Sequence, residues 1–336
     1  LTLRGDLTQF PFERGNGVFR VDARVKDGVI DYVPGWPRID DIEARLLFEG
    51  KSMTVTATAA RIYGVALSPV KVVIPDLLHH EEMLNIEGEA NGPTQDFIRF
   101  ANFSPVAEHL RGFTDALDGS GPMRLALKLQ VPLRHNDDTT LTGRLSFLGD
   151  TLFPAGLPRL EQVRGELDFT RDSLSATNLT AQFLGGPLRI DSATRNGRVQ
   201  ILAQGRATAA GVAPWLGKSW DKRLSGQTSW RGQVDFEPEG ERVRVESDLV
   251  GLGSSLPAPL AKAAAQPMPL LVTGQPLGDG QLNEVRLGRT VSAVWRSTPT
   301  AGFARGEIRF GGQAVMPAAP GPRLAGSGRG LATPGW

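Results

Sequence analysis

VDARVKDGVIDYVPGWPRIDDIEARLLFEGKSMTVTATAARIYG, residues Val21 to Gly64, is the stretch that decides the fold. With Phe19 just ahead of it, Val21, Ala23 and Val25 alternate with Arg20, Asp22, Arg24 and Lys26. Further on, Met53, Val55, Ala57 and Ala59 oppose Thr54, Thr56 and Thr58. Successive side chains of a strand point to opposite faces, so this period of two predicts strands with one wet face and one apolar face. Asp27-Gly28 and Glu49-Gly50-Lys51 read as hairpin turns, and Pro34-Gly35-Trp36-Pro37 interrupts the pattern between them.

The same plan returns at Leu141 to Gly186. With Pro37 set against Pro158, Arg38 meets Arg159, Ile39 meets Leu160, Leu46 meets Leu167 and Phe48 meets Phe169. Met53 then meets Leu174, Ala60 meets Ala181 and Gly64 meets Gly185. A looser third copy starts at Gly306, matching GEIRFGGQAVMPAAPGPRL to GRLSFLGDTLFPAGLPRL from Gly143. Repetition at this length points to an elongated array. The expected division is 1–140 as a first β repeat with a helical insert, 141–240 as a second, and 241–336 as a further β segment opening a third.

Outside the module the chain stays strand-like. Met123, Leu125, Leu127, Leu129 and Val131 alternate with Arg124, Ala126, Lys128 and Gln130, the strongest alternation present. Leu84 to Gly88, Leu188 to Ile190, Val199 to Gly205, Gly226 to Phe236 and Arg242 to Ser247 read as strands. So do Leu270 to Thr273, Asn283 to Leu287, Val291 to Arg296 and Gly306 to Phe310. Two inserts break the pattern. Thr94 is a suitable cap before Phe97, Ile98, Phe100 and Ala101 at helical spacing, and Ser104-Pro105 opens a second short helix, so 94–111 is expected to be helical. The second insert is 208–224, with Trp215 and Trp220 on its apolar side. His135 to Asp138 reads as a turn, Asp248 to Leu260 as an apolar loop, and Ala261 to Ala265 as a helical turn. The fold class is therefore mainly β: an elongated, repetitive antiparallel sheet curled into a groove or half-barrel, with short helical inserts near 94–111 and 208–224.

Composition narrows the functional classes. Thirty-seven basic and 36 acidic residues leave a net charge of +1, so no electrostatic case arises for nucleic acid. The absence of Cys excludes disulfides and thiolate chemistry. No stretch is apolar enough to span a bilayer as a helix. The chain opens on Leu1-Thr2-Leu3 already in alternation and closes at Gly335-Trp336 mid-pattern. A fragment of a longer protein is expected, with any anchor or targeting signal outside it. His79-His80-Glu81-Glu82 holds metal-ligand residue types, but neighbours on a strand point apart, so a solvated loop is the better reading. Gly253-Ser254-Ser255 lacks the context of a nucleophile elbow, and Gly185-Gly186-Pro187 lacks the Lys and helix of a phosphate loop. Neither a catalytic residue, a metal nor a cofactor is called for. The tryptophans, Trp36 and Trp230 among them, read as fillers between packed elements rather than a stacking platform.

Many one-faced strands and only two short helices leave apolar sheet surface to be covered. About 20 strands at ~4.8 Å spacing would make an array of roughly 100 Å. An open trough of that length suits acyl chains, at about 0.8 kcal/mol per buried methylene. Its candidate floor is Met53, Val55, Met123, Leu125, Leu127, Leu129, Leu145, Phe147, Leu167, Phe169, Val243 and Val245. The competing reading makes the same residues a dry core under the helices.

Several stretches carry a resemblance. They are Tyr32-Val33-Pro34-Gly35-Trp36-Pro37, Phe48 to Met53, Ile74-Pro75-Asp76-Leu77, Leu184-Gly185-Gly186-Pro187 and, most specifically, Asp248 to Leu260, DLVGLGSSLPAPL. On these the chain resembles the YhdP branch of the AsmA-like envelope proteins along essentially its whole length. The resemblance implies a periplasmic portion of an inner-membrane-anchored Gram-negative protein, with its anchor and its membrane contacts elsewhere. It implies a bridge-like lipid transfer groove whose partner is phospholipid, with no catalytic residues to carry over. A different class stays open beside it: a structural scaffold supporting outer-membrane biogenesis, for which closed, tightly packed sheets are expected instead of an open groove.

Overall fold

The computed structural model describes residues 1–107, 114–134, 138–217, 220, 222–237, 239–298 and 302–326. Two compact units divide the chain, Leu1–Leu174 and Ser175–Trp336.

The first unit holds β1 (Thr2–Arg4), β2 (Val18–Ile30), β3 (Ile39–Glu49), β4 (Ser52–Ile62), β5 (Val65–Ile74), β6 (Met83–Pro93), helix α1 (Thr94–Asn102), β7 (Leu117–Ser120), β8 (Pro122–Pro132), β9 (Thr140–Pro154) and β10 (Leu160–Thr170). Each strand from β1 to β6 pairs antiparallel with the next; β6 pairs β8, β8 pairs β9 and β9 pairs β10. β7 continues the line of β8 along the far half of β9. Short turns between amphipathic strands dictate this meander, because an antiparallel neighbour needs only a few residues of connection. β1 is held by β2 and β10 by β9, with no closing pair between β1 and β10 among the described residues.

In the second unit β11 (Leu174–Phe183), β12 (Gly186–Arg195), β13 (Arg198–Thr208), helix α2 (Ala209–Leu216), β14 (Leu224–Glu237), β15 (Gly240–Ser247), β16 (Leu252–Ser254), β17 (Leu270–Leu277), β18 (Gly280–Leu287), β19 (Val291–Thr298), β20 (Gly302–Phe310) and β21 (Gly321–Gly326) follow in order. The meander runs β11 to β15, then β17 to β20, with β16 on the start of β14.

The sequence repeat is also a repeat of backbone. β3 and β10 match residue for residue, Ile39 to Leu160 and Glu49 to Thr170, as do β5 and β12. Left-handed residues recur in the same places: Asp41 (φ 53°) and Gln162 (φ 52°), Tyr63 (φ 52°) and Leu184 (φ 52°). Asp41 and Gln162 each sit where the register slips, which marks a β-bulge. A bulge bends its strand and raises its twist.

Several local expectations are corrected. Asp27-Gly28 is no hairpin: β2 runs through it, Asp27 takes φ 51°, and the register with β3 slips there. Aspartate tolerates the left-handed region, and β3 supplies partners on both sides, so the ladder absorbs the irregularity. A second slip, between β3 and β4 at Thr58-Ala59, hands the inner face to Ala60, which is buried while Ala59 is exposed. α1 ends at Asn102, short of 111, and the helix expected from Ser104 runs into 108–113, outside the described residues; the turn at His135 lies outside them too. α2 stops at Leu216, and Leu224 already belongs to β14. Ala261 to Ala265 is not helical, because Lys262 bridges Ser254 instead. β21 joins β20 in parallel, whereas β10 returns antiparallel to β9, because 311–320 cross back over the sheet in place of a hairpin.

Both helices occupy the strand end reached by the turns at Tyr63 and Leu184. Thr208 caps α2 by accepting from Gly211 N at 3.0 Å. Thr94 roots α1 more deeply. Its N–H donates to Gly121 O at 3.0 Å and its hydroxyl to the Asp150 carboxylate; both residues are fully buried. Asp150 also accepts from Leu148 N at 2.7 Å.

Candidate functional site

Ten of the twelve floor candidates lie in the first unit, and the ladder puts all ten on one face. Residues directly opposite on antiparallel strands share a face. One cross-strand row is Ala23, Leu46, Val55, Val72, Ile86, Leu129 and Leu141. A second is Val25, Ala44, Ala57, Val70, Gly88, Leu127, Gly143 and Phe169. Ala90, Leu125, Leu145 and Leu167 form a third. Met53 stands between Phe48 and Ile74, and Met123 stands between Gly92 and Phe147. No charged or polar side chain interrupts these rows.

Exposure along this face is graded: Ala44, Ala57, Ile74 and Ala90 are buried, and Ala23 is exposed. Met123 is buried at 5%. Met53, Val55, Leu125, Leu127, Leu129, Leu145, Phe147, Leu167 and Phe169 are half-buried. A dry core would seal such residues, and an open surface would leave them wet. α1 does not provide a lid: it packs on β6, β7 and β8 at the strand ends, with Trp36 against Phe100 at 5.9 Å and Arg99 over the Tyr63 ring at 4.1 Å.

The opposite face of the same strands carries a ladder of exposed ion pairs. Arg45 chelates Asp22, Lys128 meets Glu87 at 2.7 Å, and Arg144 reaches Asp168 at 2.6 Å and Glu166 at 3.2 Å. The hydrogen bond from Arg45 holds the Asp22 carboxyl down to about 2. Exposed pairs of this kind add little stability each; they keep this face in water.

Val243 and Val245 belong to the second unit and are half-buried. Val243 stands between Val234 and Gly274, and Val245 between Gly232 and Val272. Continuing outward, the rows reach Asn283 and Trp295, then Val285, Ala293 and Ile308. This face is interrupted by polar groups, which pair with each other: Asn283 Nδ2 donates to Ser297 Oγ at 3.2 Å.

In each unit an aromatic side chain lies down over glycine. A Cβ on Gly143 would sit 2.6 and 2.7 Å from Phe169 Cε1 and Cε2, so the ring covers the backbone where the side chain is missing. Trp230 does the same twice, with Nε1 3.2 Å from a Cβ on Gly205 and Cζ3 3.2 Å from one on Gly232. Sequence reasoning placed Phe169 on the floor and assigned Trp230 to gap filling. It also missed Leu46, Val72, Ile86 and Leu141, which complete the rows. The signal for these is the cross-strand register, which alternation within a single strand does not contain.

The Asp248 to Leu260 loop is held from beneath by Lys262. This lysine is 7% exposed, and its ammonium donates to Leu249 O at 2.7 Å, Leu252 O at 2.6 Å and Ala263 O at 3.2 Å. Burial pushes its pKa below the ordinary lysine range, against the pull of Asp248. Three carbonyls for three N–H donors saturate the group, which makes it a structural clamp. Among the described residues, no three His, Asp or Glu side chains converge as metal ligands, and no helix is long and apolar enough to cross a membrane.

Comparison with known proteins falls in line with this architecture. The chain is 26% identical over 299 residues to the intermembrane phospholipid transporter YhdP of Escherichia coli (strain K12), covering 85% of this chain. It spans 23% of that relative's length. No solved structure matches it. The family model for YhdP protein matches from residue 1 to residue 336, and the chain therefore belongs to the YhdP family.

Proposed function

We propose that the apolar face of this chain carries the acyl chains of phospholipids, as a length of a hydrophobic β-groove moving lipid between the inner and outer membranes. The activity is transfer without catalysis. The carrying observation is the first-unit face: rows across β2 to β10 built only of apolar residues and glycine, with nine of the floor candidates half-buried and, among the described residues, helix α1 packed at the strand ends. The name of the Escherichia coli relative supports the substrate class. Tails on such a floor are held by burial of methylenes, about 0.8 kcal/mol each, and a hydrocarbon contact has no direction, so the same tail slides from row to row. Head groups stay at the wet margin. The chain is a periplasmic portion of an inner-membrane-anchored protein, membrane contact being made by other parts of it. Segments 1–140, 141–240 and 241–336 are successive lengths of the groove.

A photoreactive residue in place of Leu127 tests this directly. Leu127 stands between Gly88 and Gly143 in the middle of the apolar rows and is half-buried. Crosslinks to phospholipid are expected, together with loss of lipid co-purification in Leu127→Glu and Phe147→Glu. A folded Leu127→Glu protein that retains lipid and transports normally would overturn the reading, and an envelope scaffold of closed sheets would take its place.

A further inference from the structure

We propose that Trp230 is an acyl-chain contact residue of the second unit, an aromatic plate laid over Gly205 and Gly232 that levels the floor for a sliding lipid tail. The inference rests on the transport reading above and assigns it a residue. A glycine on an apolar face leaves a pit one side chain deep. A terminal methyl lodged in such a pit gains contacts on all sides, and a tail held there stops moving. The indole of Trp230 fills both pits with one flat group, its Nε1 edge over Gly205 and its Cζ3 edge over Gly232.

Three observations turn the ring toward lipid rather than toward a sealed core. Trp230 shares its face with Val234, and through Val234 with Val243, both half-buried. It is itself half-buried, though its Nε1 is fully covered and finds no acceptor. The polar edge is thus pressed into the sheet and the outer surface of the plate is hydrocarbon. Phe183 leans on it at 5.7 Å and 57°, so the two rings span the glycine-bearing strands β12 and β13 between them. Phe169 over Gly143 is the same device in the first unit.

The test uses indole emission. Trp36, Trp215, Trp220, Trp295 and Trp336 are replaced by Phe, leaving Trp230 as the single tryptophan of the chain, excited apart from Tyr32 and Tyr63. A second chain has Trp230→Phe as well and carries Leu127→Trp. Each is mixed with phosphatidylethanolamine vesicles whose acyl chains are brominated at mid-chain, and with unbrominated vesicles as reference. Bromine quenches at contact, so emission from Trp230 is expected to fall by roughly half with the brominated lipid, as van der Waals contact requires. Quenching of Leu127→Trp without quenching of Trp230 would overturn this inference and leave the transport reading standing. No quenching of either would overturn both.

Discussion

The two units use one plan with different surfaces, and the contrast shows what the plan requires. In the first, the rows from β2 to β10 are aliphatic apart from Phe48, Phe147 and Phe169. In the second, tryptophans take over: Trp230 covers two glycines and Trp295 stands opposite Gly306. Polar groups are admitted there too, provided they satisfy each other, as Asn283 and Ser297 do. What recurs between them is the backbone: β5 and β12 match residue for residue, Tyr63 and Leu184 are both left-handed, and a helix is planted at the corresponding strand end. The repeat therefore specifies a two-faced sheet with a bulge line, and the chemistry of the floor is free to vary within the apolar class.

A charge on the floor separates the units most sharply. Leu127→Glu puts a carboxylate in an unbroken apolar row, where an ionised group in lipid contact costs several kcal/mol. Retained lipid should fall by about tenfold or more. Val245→Glu lies one row from the Asn283 region and near Gly232, with polar atoms closer by, so a smaller loss is expected. Lipid counted by mass spectrometry after purification measures both. Equal losses would show that the polar pair does not soften the second floor.

The helix anchors come next. Thr94→Val keeps the shape and removes the hydroxyl from a fully buried carboxylate, Asp150, leaving Leu148 N as a remaining donor. Loss of one hydrogen bond to a buried carboxylate costs about 2 kcal/mol. Thr208→Val removes a cap bond to a single helix N–H, about 1 kcal/mol. Urea midpoints of the two variants should rank in that order. A reversal would mean that the Asp150 cluster is not what roots α1.

Acid provides a third contrast, read on a buried carboxyl of the second unit. Glu307 is 2% exposed; the hydrogen bond from Arg309, then Val315 N and the Arg309 and Arg323 charges, hold its carboxyl below the ordinary glutamate value. A carboxyl depressed in the folded state lends stability above its unfolded pKa and loses it as pH falls through the folded one. The crossing of 311–320 over β19 and β20, which Glu307 helps to hold through Val315 N, should loosen below about pH 4. Hydrogen exchange at Val315 read against pH would show it, and Glu307→Gln should flatten the dependence.

How much of this was legible in the sequence depends on the range of the force involved. Alternation is local, so Met123 to Val131 declared its strand and its inner face unaided. The repeat was legible because Pro37 and Pro158 fix two turns of the same kind. Asp27-Gly28 misled because its turn chemistry is local while its fate was decided by β3 across the ladder. Ala261 to Ala265 misled because alanine favours helix by tenths of a kcal/mol, and the three carbonyls gathered by Lys262 outweigh that. The plate over Gly205 was illegible in principle: residue 230 meets residue 205 only once the register of β13 and β14 is known.

The smallest expected effect lies on the opposite face. Arg144→Ala breaks pairs with Asp168 and Glu166, all about half exposed. Such pairs are worth about 0.5 kcal/mol or less, and salt screens them. Stability should barely move, and lipid retention should not change, because Arg144 and Leu145 point to opposite sides of β9. That null result has content. If removing Arg144 did release lipid, tails would be reaching the charged side, and the division of labour between the two faces on which the floor argument stands would fail.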